Sequence, residues 1–397
     1  MNQFIAGHYI QQEGYQSFYP CLLKNIDIDL NQAKLITKLT DTAFELGMLN
    51  GYLESVPELD LHLPVFNAYE ALLSSAIEGI KINIEDLFYQ KLLQPENLSG
   101  TDSKSRKKNK EKTDSYQKKI NLVKNYIQAQ EWGICQLSSK PLSMGLLQGI
   151  HAILFRGAGN ENKMPGLIRR SQNYIGSKNL STARFVPPHQ IHLPELIADL
   201  DEFLQSRGFA DYSRLIQASL SHYQLETIHP FMDGNGRTGR VLIMLELIES
   251  RLLKKPILSL SKVLAGDKTI YFYALNRARQ ENDLNYWINY FLSVIAESAY
   301  QTRIMLQDLV QLKDNHKTLI NTGIARARLD TAHRLLLSLW SKPVINISEA
   351  ANILGVSFQT ANTLVEDFVG LKILEEKTGG ERKRVFVMSE YLSLFDA

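Results

Sequence analysis

The sequence predicts a mainly α protein, and three observations carry the prediction. Apolar residues recur at helical spacing through segments 29–53, 64–82, 213–231, 237–255 and 301–320. Strand-like pieces punctuated by glycine and proline are short and fall within 165–188 and 372–389. No internal repeat of roughly 20–50 residues points to a solenoid or a propeller.

The bulk numbers restrict the function classes. A chain of 397 residues can hold more than one domain with a real core. Cys21 and Cys135 provide no disulfide framework. No apolar run approaches the ~20 residues of a membrane span. The start, MNQFIAGHYIQQEGYQ, lacks the charged n-region and apolar run of a signal peptide. A cytoplasmic protein without membrane contact is expected. The net charge of +2 gives no argument for nucleic acid by itself.

Three parts follow in order. Residues 1–120 read as an N-terminal helical segment, with Pro20 and Leu22 ahead of the helical stretch 29–53. Segment 64–82 reads as a second helix. In it Ser74 and Glu78 are four apart and share a face, with Gly79 next to them. Glu78 sits near the C-terminal end of that helix, where the dipole disfavours an acid and an arginine partner would offset the cost. Residues 101–120 hold eight Lys/Arg against three Asp/Glu and read as a mobile, solvated insertion between helices.

Residues 121–305 form the expected catalytic core, and its most informative stretch runs from His229 to Arg240, HPFMDGNGRTGR. The Gly234–Asn235–Gly236 turn can expose backbone N–H groups, and segment 237–255 reads as a helix starting from it. A helix N-terminus favours an anion. Arg237 and Arg240 are three apart and share a helix face. Asp233 is an oxygen ligand suited to Mg²⁺, and His229 is the side chain suited to general base work near neutral pH. Gly234, Gly236 and Gly239 also fit GxGxxG, but that fingerprint needs a preceding strand, and segment 213–231 is helical in its spacing. His189, His192 and His222 form no metal-ligand pattern; the first two read as surface-loop residues and His222 as structural.

This stretch resembles the signature of the Fic family, HPFx[D/E]GNGRxxR, at every defined position. The resemblance implies a helical fold with a short β flap and transfer of AMP from ATP, with Mg²⁺, to a protein hydroxyl. Segments 165–170, 174–176 and 185–188 look like the family's flap, which covers the site and aligns the target. Ser74, Glu78 and Gly79 are similar to the inhibitory motif [S/T]xxxE[G/N]. Its place ahead of the signature resembles the class II arrangement, in which the glutamate holds the last signature arginine, here Arg240. The implied roles are base for His229, charge stabilisation for Asn235, metal binding for Asp233, and nucleotide binding for Gly234, Asn235, Gly236, Arg237 and Arg240. Tyr271, Tyr273 and Asn276 are candidates for the adenosine side, Tyr273 foremost. The target protein is not named by the sequence, and self-modification is expected. Another nucleotide donor, phosphorylation or removal of AMP stays open, as does a nucleotide-sensing transcriptional regulator.

Residues 325–397 look like a winged helix. Two short helices joined at Gly355-Val356, with Ser348 and Ser357 as candidate N-caps, precede a hairpin signal at Thr378-Gly379-Gly380. The second of these helices, 357–370, holds no Lys or Arg and carries Glu366 and Asp367. Residues 331–397 contain seven Lys/Arg and eight Asp/Glu, although Lys377, Arg382, Lys383 and Arg384 cluster at the hairpin. Phosphate contact supplies most non-specific DNA affinity, so protein or homodimer contact is favoured over DNA.

Overall fold

The computed structural model describes residues 4–28, 32–88, 103–157, 160–176, 179–206, 213–379 and 384–396. It is mainly helical. A hairpin, β1 (Gly7–Gln12) and β2 (Tyr15–Pro20), is followed by α1 (Ala33–Leu53), α2 (Leu63–Ile77), α3 (Ile84–Phe88), α4 (Ser103–Gln136) and α5 (Met144–Leu154). After an irregular stretch come α6 (Leu193–Gln205), α7 (Arg214–Ile228), α8 (Asn235–Glu249), α9 (Leu260–Gly266), α10 (Lys268–Gln280) and α11 (Leu284–Gly323). The C-terminal run is α12 (Leu329–Ser341), β3 (Val344–Asn346), α13 (Ile347–Leu354), α14 (Phe358–Gly370), β4 (Glu375–Glu376), β5 (Val385–Val387) and α15 (Ser389–Asp396). Among the described residues no helix is long and apolar enough to cross a membrane.

The chain groups into two compact units. The first comprises Met1–Gly47, Leu73–Ile80 and Lys124–Ala299. At its centre lies α7, buried on every face from Leu215 to Ile228. Such a helix must satisfy its polar side chains locally. Ser221 and Thr227 donate to the carbonyls of Gln217 and Tyr223, and Gln224 donates to Cys21 O. Helix α8 packs beside it, with Val241, Leu242 and Leu245 fully buried.

The N-terminal hairpin is absent from the sequence reading, which expects helices there. Its strands are six residues each and mix aromatic with polar residues, too short for a clear period. Gly14, at φ +81°, makes the two-residue turn. Phe18 is buried with Ala6 and Phe185, and its N–H donates to Val186 O at 2.9 Å. Ile175 and Phe185 form an antiparallel bridge, so the expected flap is present as a single bridged pair rather than as two strands.

One further expectation changes. Most of the basic run 101–120 lies on α4, not in a loop, while residues 101 and 102 fall outside the described residues. Lysine and arginine are good helix formers, so a charged composition signals solvation and leaves the backbone conformation open. Helix α11 runs unbroken for 40 residues across the expected boundary near residue 305.

The second unit comprises Met48–Leu72, Lys81–Val123 and Tyr300–Ala397. Its small antiparallel sheet has the order β3-β5-β4. Trp340 is buried edge-on to Tyr391 at 5.0 Å, and Tyr69 stacks on Phe395 at 4.5 Å. Ser357 caps α14 as expected, its Oγ accepting from Thr360 N–H at 3.1 Å. Ser348 caps nothing. Asn346 is the N-cap of α13, in a capping box with Glu349, because the helix starts two residues earlier than its apolar pattern suggests. Gly380, Arg382 and Lys383 of the expected hairpin lie outside the described residues.

Gly355 ends α13 in the left-handed region at φ +67°, its N–H donating to Ala351 O. A Cβ there meets nothing within 4 Å, so its cost is conformational alone. Gly355→Ala is expected to destabilise by about 1 kcal/mol. Urea unfolding with an unchanged midpoint would contradict this.

Candidate active site

The site is built on the turn between α7 and α8. Ser213 caps the start of α7 by accepting from Ile216 N–H, and the helix ends at His229 in the left-handed region, φ 50° and ψ 60°. That conformation is uncommon outside glycine and needs support from its surroundings. Arg169 supplies it. Its buried guanidinium donates from Nε to His229 O at 2.9 Å and from Nη2 to Pro188 O at 2.6 Å, while its own N–H donates to Pro230 O at 2.9 Å. Asn173 Nδ2 donates to Phe231 O at 3.0 Å. Asn235 holds the same residue from the other side: its Oδ1 accepts from Phe231 N–H and its Nδ2 donates to Phe231 O, both at 2.9 Å. The Phe231 ring is buried flat against His151, 4.0 Å between centroids.

Partners fix the state of three histidines. His229 Nδ1 lies 3.3 Å from Glu226 O, and a carbonyl only accepts, so Nδ1 carries the proton and Nε2 keeps its lone pair. Burial, then Arg279 and Arg169, hold its imidazolium form down to about 3. His151 Nδ1 accepts from Gly166 N–H at 2.9 Å, so its Nε2–H donates to Asp233 O at 2.9 Å. His222 Nδ1–H donates to Gly239 O at 3.1 Å, and its Nε2 accepts from Tyr271 O–H at 3.0 Å.

The start of α8 is strongly cationic. Gly234 stands at φ +75°, and a Cβ there would lie 2.5 Å from the Phe155 ring. The first turn of a helix has amide N–H groups without intrahelical acceptors. Arg237 is buried with its guanidinium over Phe155 at 4.8 Å, and its Nε and Nη1 have no hydrogen-bond partner among the described residues. A buried guanidinium left so is costly and fits an anionic ligand that completes it. Arg240 is 1% exposed. Its Nε donates to Ser74 Oγ at 2.7 Å, and its Nη2 donates to Ser74 O at 2.8 Å and to Glu78 Oε1 at 3.0 Å. Burial opposes the charge on Arg240, but Glu78, Tyr271 and Tyr126 together raise its pKa above the usual value. The Glu78 side chain is 36% exposed. Its Oε1 stands 2.3 Å from where a Cβ on Gly236 would be, so it lies at the first turn of α8. Gly79, at φ +82°, follows it at the end of α2.

Asp233 Oδ1 accepts from Gly234 N–H at 2.7 Å, and Oδ2 pairs with Lys163 Nζ at 2.7 Å. Burial raises its carboxyl pKa, but Lys163, Arg237 and the Gly234 N–H hold it below the usual range. The site therefore offers a divalent cation an ionised carboxylate, whose outer oxygen must first release Lys163. Arginine-rich walls and this carboxylate together suit a metal-bound polyphosphate.

The structure thus brings His229, Asp233, Gly234, Asn235, Gly236, Arg237 and Arg240 to one helix start, with Ser74 and Glu78 against them. It does not place Tyr273 among their contacts. That residue is 48% exposed, accepts from Arg277 Nη1 at 3.3 Å and meets Tyr286 edge-on. The Asn235 side chain is spent on Phe231, through both its amide oxygen and its amide nitrogen. The sequence reading missed the roles of Arg169, His151 and Lys163. Arg169 lies in the flap-like PGLIRR, where an arginine in a loop reads as solvated, and a lone histidine in an apolar helix carries no signal.

Comparison with known proteins adds a family. Residues 141–247 match the Fic/DOC family and residues 36–135 its N-terminal region. The chain therefore carries a Fic/DOC domain with the family's N-terminal part ahead of it. It is 32% identical over 117 residues to the protein adenylyltransferase fic-1 of Caenorhabditis elegans, 29% of this chain and 22% of that one. It is 38% identical over 78 residues to the protein adenylyltransferase Fic of Drosophila willistoni, 20% of this chain and 14% of that one. These matches span less than a quarter of the relatives' own lengths. A solved Fic family protein from Desulfovibrio desulfuricans G20 superposes with a TM-score of 0.52 at 18% identity, covering 91% of this chain and 97% of that one, and shows the shared fold.

The histidine environments give a pH expectation. Burial lowers His151 to about 4 and His222 and His229 to about 3, against about 6.5 in the unfolded chain. Each contributes stability that is present above pH ~6.5 and lost as pH falls toward the folded value. Nitrogen NMR of the free protein at pH 6 should find all three neutral, His151 as the Nε2–H tautomer and His222 and His229 as Nδ1–H. A protonated His229 at pH 6 would contradict the geometry.

Proposed function

We propose that this chain transfers AMP from ATP, with Mg²⁺, to a Tyr, Thr or Ser hydroxyl of a protein, and that Glu78 holds the reaction back in the class II manner. The observation that carries the reading is the buried, incompletely bonded Arg237 beside Arg240 at the start of α8, one turn from a neutral His229 with its Nε2 lone pair available. The match to the Fic/DOC family and the names of the relatives support the donor and the reaction type.

In this reading the phosphates of ATP lie against the first-turn amides of α8, with Arg237 and Arg240 on the β and γ phosphates. Asp233 would hold the Mg²⁺ in place of Lys163, and the cation supplies neutralisation of phosphate charge. His229 Nε2 takes the hydroxyl proton while the hydroxyl oxygen attacks the α-phosphorus and pyrophosphate leaves. Asn235 and Arg169 keep the turn rigid, so the base is held where the proton arrives. Tyr273 is the aromatic proposed for the adenosine side, because Tyr271 on the same helix is committed to His222. Glu78 is a carboxylate standing where a helix start favours an anion, and it occupies the arginine that the γ-phosphate needs.

The C-terminal elements α12 to β5 are read as a winged helix that meets protein, a second copy included, in preference to DNA. Arg384, a described cation of its hairpin, donates to Glu366 and Glu376 and is not free for phosphate.

Incubation with labelled ATP and Mg²⁺ tests the function. Glu78→Gly is expected to raise self-labelling roughly 10-fold, between the limits for an exposed and a desolvated ion pair, because Arg240 is fully buried and Glu78 is not. His229→Ala in that background should lower labelling by roughly 10²–10⁴-fold with ATP binding retained. Full labelling by His229→Ala would sink the mechanism. Unchanged labelling by Glu78→Gly would sink the inhibition alone.

A further inference from the structure

Glu226 lies one turn before His229 on α7 and touches the imidazole in two ways. Its carbonyl accepts from Nδ1–H at 3.3 Å, and its carboxylate Oε2 stands 3.9 Å from the same nitrogen. The carboxylate is buried, and its Oε1 has no hydrogen-bond partner among the described residues. Burial, then Glu78, work against the charge on this group and raise its pKa to about 7, and Arg240 and Arg279 offset only part of that. The fold nevertheless keeps space for it. A Cβ on Gly239 would lie 2.9 Å from Oε1 and 3.0 Å from the His222 ring, so α8 carries a poor helix former where these two side chains face it.

The surrounding charges show what such a group can do. His229 is faced by Arg169 from the flap segment and Arg279 from α10, both of which oppose an imidazolium, and by Asp233, which favours it. Glu226 is faced by Glu78 beyond α2, Arg240 from α8, and Arg279 and Tyr271 from α10. When the hydroxyl proton reaches Nε2, positive charge appears inside a ring of arginines, and Glu226 is the carboxylate beside Nδ1.

We propose that Glu226 is the positioning residue of His229: its carbonyl fixes the Nδ1–H tautomer, and its carboxylate offsets the charge the imidazole gains in the reaction. This rests on the reading of His229 as the base. The balance is simple. The hydroxyl oxygen bonds to the α-phosphorus, and its proton moves to Nε2. The bond to pyrophosphate breaks with the electron pair leaving on pyrophosphate. The proton later passes to solvent, and none is transferred to Glu226.

The test uses the full chain in the Glu78→Gly background. Glu226→Gln keeps the volume and removes the charge, and it is compared with Glu226→Asp, with His229→Ala and with the His229→Ala/Glu226→Gln combination. Expected for Glu226→Gln are a kcat lower by on the order of 10-fold, an unchanged KM for ATP, and a melting temperature no lower than the parent's, because a buried charge is removed. Glu226→Asp should recover part of the kcat. On His229→Ala, which retains a residual rate, Glu226→Gln should have no further effect, since it acts through the imidazole. A parental kcat for Glu226→Gln, with His229→Ala impaired, would overturn this inference and leave the base assignment standing. So would an equal further loss in the His229→Ala background, or a loss of kcat matched by a lower melting temperature. Full transfer by His229→Ala would instead bring down the proposed function itself.

Discussion

The geometry of the site hangs on one buried guanidinium. Arg169 bonds the carbonyls of His229, Pro188 and, through its own backbone, Pro230, and so ties the flap segment to the turn after α7. With Asn173, which donates to the same His229 carbonyl at 3.3 Å, it supports the left-handed conformation, φ 50°, that ends α7 and leads the chain into α8. Asn173, Asn235 and His151 then fix Phe231 and Asp233 from three sides. A rigid turn is what lets a first helical turn and a base act on one substrate, because small displacements of reacting groups cost large factors in rate.

The second constraint is electrostatic. Arg169, Arg237, Arg240 and Arg279 are all buried around one turn, and burial works against the charge on Arg169, Arg237 and Arg279. Arg240 alone is held charged by an acidic partner close enough to bond. In the proposed reading a polyanion completes this cluster of charge. Burial first, then Arg279 and Arg169, keep His229 neutral.

Much of this was legible in the sequence for a plain reason: the residues from His229 to Arg240 are contiguous, and a helix start is a local structure. The pairing of Glu78 with Arg240 spans 162 positions, and only likeness to a known motif suggested it before the fold was seen. Arg169, His151, Lys163 and Glu226 are ordinary residues until the fold brings them to the turn, so no spacing marks them. The hairpin Gly7–Pro20 escaped because strands of six residues are too short to declare a period. The basic run misleads in the opposite sense, since a charged composition leaves the backbone conformation open and α4 runs through it. Ser348 looks like a cap in the sequence because it precedes an apolar pattern, whereas Asn346 and Glu349 satisfy the helix start reciprocally.

The close approach of Glu78 to Gly236 has a quantitative consequence. A carboxylate and a phosphate cannot both stand at the first turn of α8, so in the proposed reading they are exclusive occupants of one seat. The apparent affinity for productively bound nucleotide is then the intrinsic affinity scaled by the fraction of molecules in which the seat is vacant. A carboxylate seated in about 99% of molecules would weaken that affinity about 100-fold. Output would therefore rise in proportion to vacancy, and a perturbation worth about 1.4 kcal/mol at the end of α2 would change it tenfold. In the proposed reading the contact works as a dial rather than a latch.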